Sequence, residues 1–450
     1  MIHKPTLASL AIDLASGRAS SRSLVEACLD RIEDPAGEGA KTFLLVDKRA
    51  VLAQADAMDL LRSSGAAPSR YAGVPVSIKD LFDITGQVTR AGSMLLKGHP
   101  PATRDATCVA RLRRAGFILI GRTNMTEFAY SGIGINPHYG TPRNPWERAQ
   151  ARVPGGSSSG AAISVTDLMS HAALGTDTGG SCRIPAAFTG LVGYKPTAHR
   201  VPRTGTVPLS TTLDSVGPLA RSVACCASLD AVLASEAPPD LSNRSVSGLR
   251  FGVPGKTLVF EDMDTHVASH FERSLSQLAA AGAHIEHFDL PEFEQITQLQ
   301  AKGGFSAAES YTWHRGLIES HAAEYDPRVL SRIQRGATQS AVDYIELLTA
   351  RKAFIAAVCE RIARFDALLM PTTPMVAPRI ADLASDAEFF RANALALRNP
   401  GSINLLDGCA ISIPNHADGE PPTGLMLACR GGRDAHLFRV AAAAESVVRP

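Results

Sequence analysis

The sequence predicts an α/β protein with a mixed, largely parallel central sheet covered by helices. Two observations carry that expectation. The apolar run Gly73-Val74-Pro75-Val76-Ser77-Ile78, a helix-like stretch at 105–114 and the apolar run Phe117-Ile118-Leu119-Ile120 follow one another. That is the strand, helix, strand order of a parallel pair. Further short apolar runs recur at 190–194, 367–370, 410–413 and 424–429, separated by segments of helical spacing.

The elements follow in chain order. Leu7, Leu10, Ala11 and Leu14 have helical spacing, and Ser20 or Ser21 can cap a helix with Leu24, Val25, Cys28, Leu29 and Ile32 on one face. Residues 50–62 form a third helical pattern. The strand at 73–78 comes next, then the helix at 105–114, ending in two arginines, and the strand at 117–120, which Gly121 closes. Residues 131–160 are rich in Gly, Asn, Pro and Ser, and a loop of that length inside a compact domain is usually functional or disordered. Residues 161–174 read as a helix, 190–194 as a strand and 235–247 as a surface connection. Residues 264–283 and 320–365 are helical again. The strands at 367–370, 410–413 and 424–429 and a helix at 433–446 complete the chain. With no repeat in view, this is one domain over 1–450, with its core at 70–230 and a helix-rich lobe at 245–365 that shapes the substrate pocket.

Composition removes several function classes. Of the 450 residues 45% are hydrophobic and 20% charged, which is ordinary for a packed globular protein. Lys plus Arg number 45 and Asp plus Glu 44, a formal net charge of +1. Such balance offers no global electrostatic pull on nucleic acid or an anionic membrane. The eight cysteines form no CxxC pair, so reduced, mostly buried thiols are expected. No apolar run approaches the roughly 18 residues of a membrane span, and the first residues hold no signal-peptide core. The expectation is a cytoplasmic protein.

Three stretches carry candidate chemistry. In Pro154-Gly155-Gly156-Ser157-Ser158-Ser159-Gly160, glycines flank three hydroxyls ahead of a packable run. Such a turn can bind an anion with its N–H groups, or the serines can act as nucleophile or proton relay. A P-loop would need Lys where Ala161 stands. Gly156-Ser157-Ser158-Ser159-Gly160 also fits the nucleophile elbow of α/β-hydrolases with Ser158 central, but the polar segment before it is not the strand an elbow requires. The second stretch is Gly175-Thr176-Asp177-Thr178-Gly179-Gly180-Ser181-Cys182-Arg183. Its glycines let successive N–H groups point at one place, as an oxyanion hole needs. The third is Lys79, directly after the strand at 73–78. A desolvated Lys has a lowered pKa and can act as a base, and Ser–Lys pairs are a variant of triad logic.

Together these stretches resemble the amidase signature family. The matching segments are GVPVSIKD at 73–80, GRTNMTEFA at 121–129, RVPGGSSSGAA at 152–162, GTDTGGSCRIPAAFTGLVGYKPT at 175–197 and LDSVGPLARSV at 213–223, with MPTTP at 370–374. The resemblance implies the amidase signature fold and a Ser–cis-Ser–Lys triad. Ser181 matches the nucleophile, Ser157 the bridging serine preceded by a cis peptide bond, and Lys79 the base. It implies an oxyanion hole of backbone N–H groups of Thr178, Gly179, Gly180 and Ser181, with Ser158 supporting the Lys79 network. Asp177 and Arg183 are expected to brace the loop.

The implied activity is hydrolysis of the C–N bond of small amides, such as aryl amides, anilides or carbamates, through an acyl-enzyme, with no metal and no cofactor. The implied partner is a small-molecule amide, with neither nucleic acid nor membrane; a homodimer is left open. Two alternatives stand beside this reading. One is an amidotransferase subunit releasing ammonia for transfer-RNA amidation, the other an α/β-hydrolase-type esterase using Ser158. A binding protein that keeps the fold without catalysis is opposed by the presence of all three triad residues. For the substrate pocket the candidates are Ile133, Ile135 and Tyr139 in the long loop, and Phe305 and Trp313 in the helical lobe.

Overall fold

A computed structural model describes residues 5–255 and 257–449. Eleven strands form a single sheet: β1 (Phe43–Leu45), β2 (Pro75–Lys79), β3 (Ile118–Thr123), β4 (Ala172–Asp177), β5 (Val192–Lys195), β6 (Ser215–Ala220), β7 (Arg250–Pro254), β8 (His284–Phe288), β9 (Ala367–Pro371), β10 (Cys409–Pro414) and β11 (Gly424–Cys429). Their order is β1-β3-β2-β4-β6-β5-β10-β11-β9-β7-β8. The sheet is mixed, as expected. Parallel pairing is confined to two blocks, β3-β2-β4 and β8-β7-β9. The strands between them, and β1 at the edge, pair antiparallel. The parallel share is therefore smaller than the strand, helix, strand order implied.

Alternation along the strands builds two apolar layers. Ile411, Ile413, Leu425 and Leu427 of β10 and β11 enter the cluster on one face. Ala410, Met426 and Ala428 enter the cluster on the other, beneath Leu347, Phe354 and Val358 of the helix Ala341–Ile362. Side chains of one strand point alternately to the two faces, and both faces are covered.

Several local expectations change. Gly121 does not close the second strand; β3 runs through it to Thr123. A Cβ at Gly121 would stand 2.7 Å from the carbonyl oxygen of Leu45, so its bare backbone admits the neighbouring strand. The stretch 161–174 is not one helix. The helix Ser159–Thr166 ends, and Ala172 opens β4. Residues 245–365 are not helices alone, because β7 and β8 join the common sheet. Ser20, rather than Ser21, caps the second helix, its hydroxyl accepting the N–H of Ser23.

The two parallel blocks matter for position. In register, Ile78 of β2 lies beside Leu174 of β4, so Lys79 and the Gly175–Asp177 stretch end at the same sheet edge. The carboxyl ends of parallel strands are where open α/β sheets place their ligands.

Candidate active site

Lys79 ends β2 with all five strand residues buried, and its ammonium is held inside the protein. It donates to the Oγ of Ser157 at 2.8 Å and to Oγ1 of Thr176 at 2.8 Å. Burial pulls its pKa down to about 8, against the attraction of Asp177 and Asp214. At neutral pH a minority of the molecules therefore carry the free amine.

Ser157 lies in the loop ahead of the helix Ser159–Thr166, and the Gly156–Ser157 peptide bond is cis. The segment is pinned on both sides. Thr126 N–H donates to the carbonyl of Ser157, and Gly156 N–H donates to that of Gly132. Ser158 stands at the helix N-cap position, and its hydroxyl donates to the carbonyl of Thr176 at 3.4 Å. It touches the backbone beside the Lys79 partner rather than Lys79 itself. Among the described residues no strand leads into this turn, so the nucleophile-elbow reading of Ser158 fails.

Ser181 follows β4 in the loop that enters the helix Arg183–Thr189 and is 3% exposed. The loop is held by a buried ion pair. Arg183 donates to Asp177 at 2.9 and 3.0 Å, with both side chains fully buried. Burial alone would raise the Asp177 carboxyl, but the Arg183 guanidinium overrides it and holds the group well below the usual carboxylate range. Asn404 joins from the helix Asp386–Leu405, accepting from Arg183 at 2.6 Å and donating to Asp177 at 3.0 Å. Asp177 and Arg183 thus brace the loop, as expected.

The candidate oxyanion amides divide. Gly180 N–H donates to Asp177 Oδ1 at 2.8 Å, so that amide is already used. Its role is in the bend: φ is +131°, and a Cβ there would meet Ile184 and Pro400 at 2.7 Å. The amides of Thr178, Gly179 and Ser181 have no hydrogen-bond partner among the described residues. The set of four therefore contracts to three.

Of the five pocket candidates, two are core. Ile133 is fully buried in a cluster with Ile184 and Phe188. Phe305 is 1% exposed, packed edge-on against Tyr344 in the layer below the sheet. Both are apolar side chains with enough neighbours to leave water entirely, which their residue type alone did not distinguish from pocket lining. Ile135 is half-buried against the Ile133 cluster, and Tyr139 donates to the carbonyl of Ser93 at 3.3 Å. Trp313 is 38% exposed and leans on Phe128 and His314.

Three contributors were not singled out from the sequence. Thr176 is the second partner of Lys79, although it stands inside the quoted Gly-rich stretch. Asp214 accepts from the Thr178 hydroxyl at 2.5 Å, and burial pushes its pKa up to about 6 despite that bond. Asn393 accepts from Ser131 Oγ at 2.9 Å and from Gly132 N–H at 2.8 Å, tying the long loop to the helix Asp386–Leu405. That helix has no motif; only its contacts reveal the role.

The amidase family model matches residues 23–438. The chain belongs to the amidase signature family. It is a hydrolase of carbon–nitrogen bonds. It is 38% identical over 402 residues to a 2-amino-5-chloromuconic acid deaminase of Comamonas testosteroni, covering 88% of this chain and 86% of that one. It is 33% identical over 487 residues to a glutamyl-tRNA(Gln) amidotransferase subunit of Acidothermus cellulolyticus, covering 99% and 94%. Among solved structures, an amidase crystal structure superposes with a TM-score of 0.88 at 30% identity, covering 99% of this chain and all of that one. The corresponding amidotransferase structure from Thermotoga maritima gives 0.79 at 27%, covering 99% and 95%. No helix among the described residues is long and apolar enough to cross a membrane.

Proposed function

We propose that this amidase signature enzyme cleaves small amides through an acyl-enzyme on Ser181, with Ser157 and Lys79 as its proton relay. The observation that carries the reading is the 2.8 Å contact between a fully buried Lys79 and the Ser157 hydroxyl. Neutral Lys79 draws a proton through Ser157 as Ser181 attacks the amide carbonyl. The tetrahedral oxyanion takes hydrogen bonds from the amides of Thr178, Gly179 and Ser181, which have no partner among the described residues. The proton returns through Ser157 to the leaving nitrogen, the C–N bond breaks, and water then hydrolyses the Ser181 ester. Ser158 supports the relay through the Thr176 backbone. The substrates are small amides, such as aryl amides, anilides or carbamates.

The second reading is an amidotransferase subunit, favoured by the 33% identity to such a subunit over nearly the whole chain. Amine or ammonia release by the purified chain alone, across a panel of amides, anilides, carbamates and esters, separates the two. Turnover without partners is expected. Ser181→Ala should lower it by about 10³-fold or more with the circular dichroism spectrum unchanged. A serine-directed reagent should label Ser181; labelling at Ser158 instead would overturn the assignment.

A further inference from the structure

The helix Asp386–Leu405 lies along both loops of the relay. Its contacts recur at Asn393, Leu397, Pro400 and Asn404, a spacing that puts all four on one face. Asn393 accepts from Ser131 and Gly132, and the Gly132 carbonyl in turn accepts Gly156 N–H, next to Ser157. Pro400 lies 2.7 Å from the position a Cβ of Gly180 would take, and Asn404 joins the Asp177–Arg183 pair. Leu397 sits between these fixed points. Its Cδ2 is 3.2 Å from the position a Cβ of Gly132 would take and 3.4 Å from that of Gly179. One leucine therefore touches the segment that holds Gly156 and the residue carrying a candidate oxyanion amide.

Gly401 follows Leu397 one turn later and presents no side chain beside that same residue. Glycine in a helix interior weakens the helix, and nothing in the packing requires it here. Its φ is not positive, and a Cβ there would meet nothing nearer than the Gly179 carbonyl oxygen at 3.9 Å among the described residues. Leu397, Gly179 and Gly401 are partly open to solvent, while Thr178, Gly180 and Pro400 around them are buried. Space is thus left beside Gly179, two residues before Ser181, bounded by an apolar side chain.

We propose that Gly401 leaves room for a bulky group of the amide held at Ser181, an aromatic ring or a branched chain, and that Leu397 is the apolar wall of that space. This rests on the reading of Ser181, Ser157 and Lys79 as the amide-cleaving relay. Gly401 and Leu397 are then specificity-determining residues that take no part in proton transfer.

The test measures kcat/KM for benzamide against acetamide, and for acetanilide against N-methylacetamide. The two series tell which end of the amide occupies the space. Intrinsic reactivity differs within each pair but is the same for every variant, so a change in the ratio reads the enzyme. In Gly401→Leu the ratio of bulky to small amide should fall about ten-fold or more in at least one series, since a single methylene in an apolar pocket already discriminates by roughly ten-fold or more. Gly401→Ala should lower it less. Leu397→Ala, which widens the space, should raise use of the naphthyl amide relative to the phenyl amide in the series that responds. A ratio does not depend on how much enzyme is folded, so a poorly folding variant still answers the question. Ratios unchanged in both series for Gly401→Leu, including equal losses on bulky and small amides, overturn the inference, as does a Leu397→Ala enzyme that gains nothing on the naphthyl amide. A wild type that cleaves neither bulky amide also overturns it, while the relay is judged separately by serine-directed labelling of Ser181.

Discussion

The Lys79 ammonium donates to Ser157 and to Thr176 at the same distance, 2.8 Å, with no part of the residue exposed to solvent. A buried lysine with two hydroxyl partners and, among the described residues, no carboxylate in contact loses its proton more readily than a solvated one. Burial favours the neutral amine, while Asp177 and Asp214 act from further off to restrain the shift. In the proposed relay such a group would titrate near pH 8, close to the range in which general-base catalysis is most effective.

Lys79→Ala should therefore damage amide hydrolysis more than hydrolysis of a matched activated ester. Both reactions need Ser181 to lose its proton during attack. Only the amide needs that proton returned, because an amine leaves poorly unless its nitrogen is protonated. General acid–base assistance is typically worth roughly 10²–10⁴-fold, and the amide rate should fall by about one such factor more than the ester rate. In the wild type, kcat/KM for the amide should rise with pH through about 8, since only neutral Lys79 accepts a proton and its pKa lies there. Equal losses on the two substrates, measured from about pH 6 to 10, would remove Lys79 from protonation of the leaving group.

Thr176→Val should move that rising limb. Thr176 accepts a hydrogen bond from the ammonium, which stabilises the charged form. A hydrogen bond to a charged group is worth about 1.5–3 kcal/mol, so its loss should lower the Lys79 pKa by about one to two pH units. The midpoint of the amide pH profile should shift to lower pH by that amount. Maximal kcat should also fall, because one of the two contacts that aim Lys79 at Ser157 is gone. A midpoint that stays where it is, with the variant folded, would show that Thr176 does not bear on the protonation of Lys79.

Arg183→Met should cost stability without touching the relay directly. Asp177 and Arg183 are both fully buried, and the substitution leaves the carboxylate with Asn404 and two backbone N–H groups but without its contacting counter-charge, the ammonium of Lys195 acting only from further off. Removing one partner of a buried pair typically costs about 3–5 kcal/mol. The sign with pH follows. In the wild type the Asp177 pKa is depressed, so its contribution is present above the unfolded carboxylate pKa and fades as the pH falls below it. In the variant the native carboxylate is destabilised instead, so the deficit should be largest near neutrality and shrink as the pH falls. Urea unfolding at pH 7 and at about pH 4 checks both parts.

Much of the site is legible in the sequence, because its chemistry is written in contiguous stretches. Lys79, Ser157 and Ser181 stand in three separate segments whose residue types and glycine spacing match one family. The strand that carries Lys79 is readable too, because β2 is apolar or small up to the lysine that ends it, whereas β4, which leads to Ser181, continues the apolar run of the helix before it and has no local boundary. Other elements without local periodicity are not readable. β6 is interrupted by Gly217 and Pro218, and β8, His-Ile-Glu-His-Phe, lies at the sheet edge with most of its residues in contact with water. Their pairing depends on neighbours far along the chain.

Residue types and their order establish which groups are present: a lysine ending a buried strand, hydroxyls after paired glycines, and an Asp and an Arg able to brace a loop. Which of them meet depends on the packed fold. It assigned Thr176 rather than Ser158 to Lys79, used the Gly180 amide on Asp177, and placed Ile133 and Phe305 in the core. The physical reason is the same in each case. A residue's type sets its capacity to donate, accept or leave water, but whether that capacity is spent within the fold or remains for a substrate depends on partners brought from distant segments.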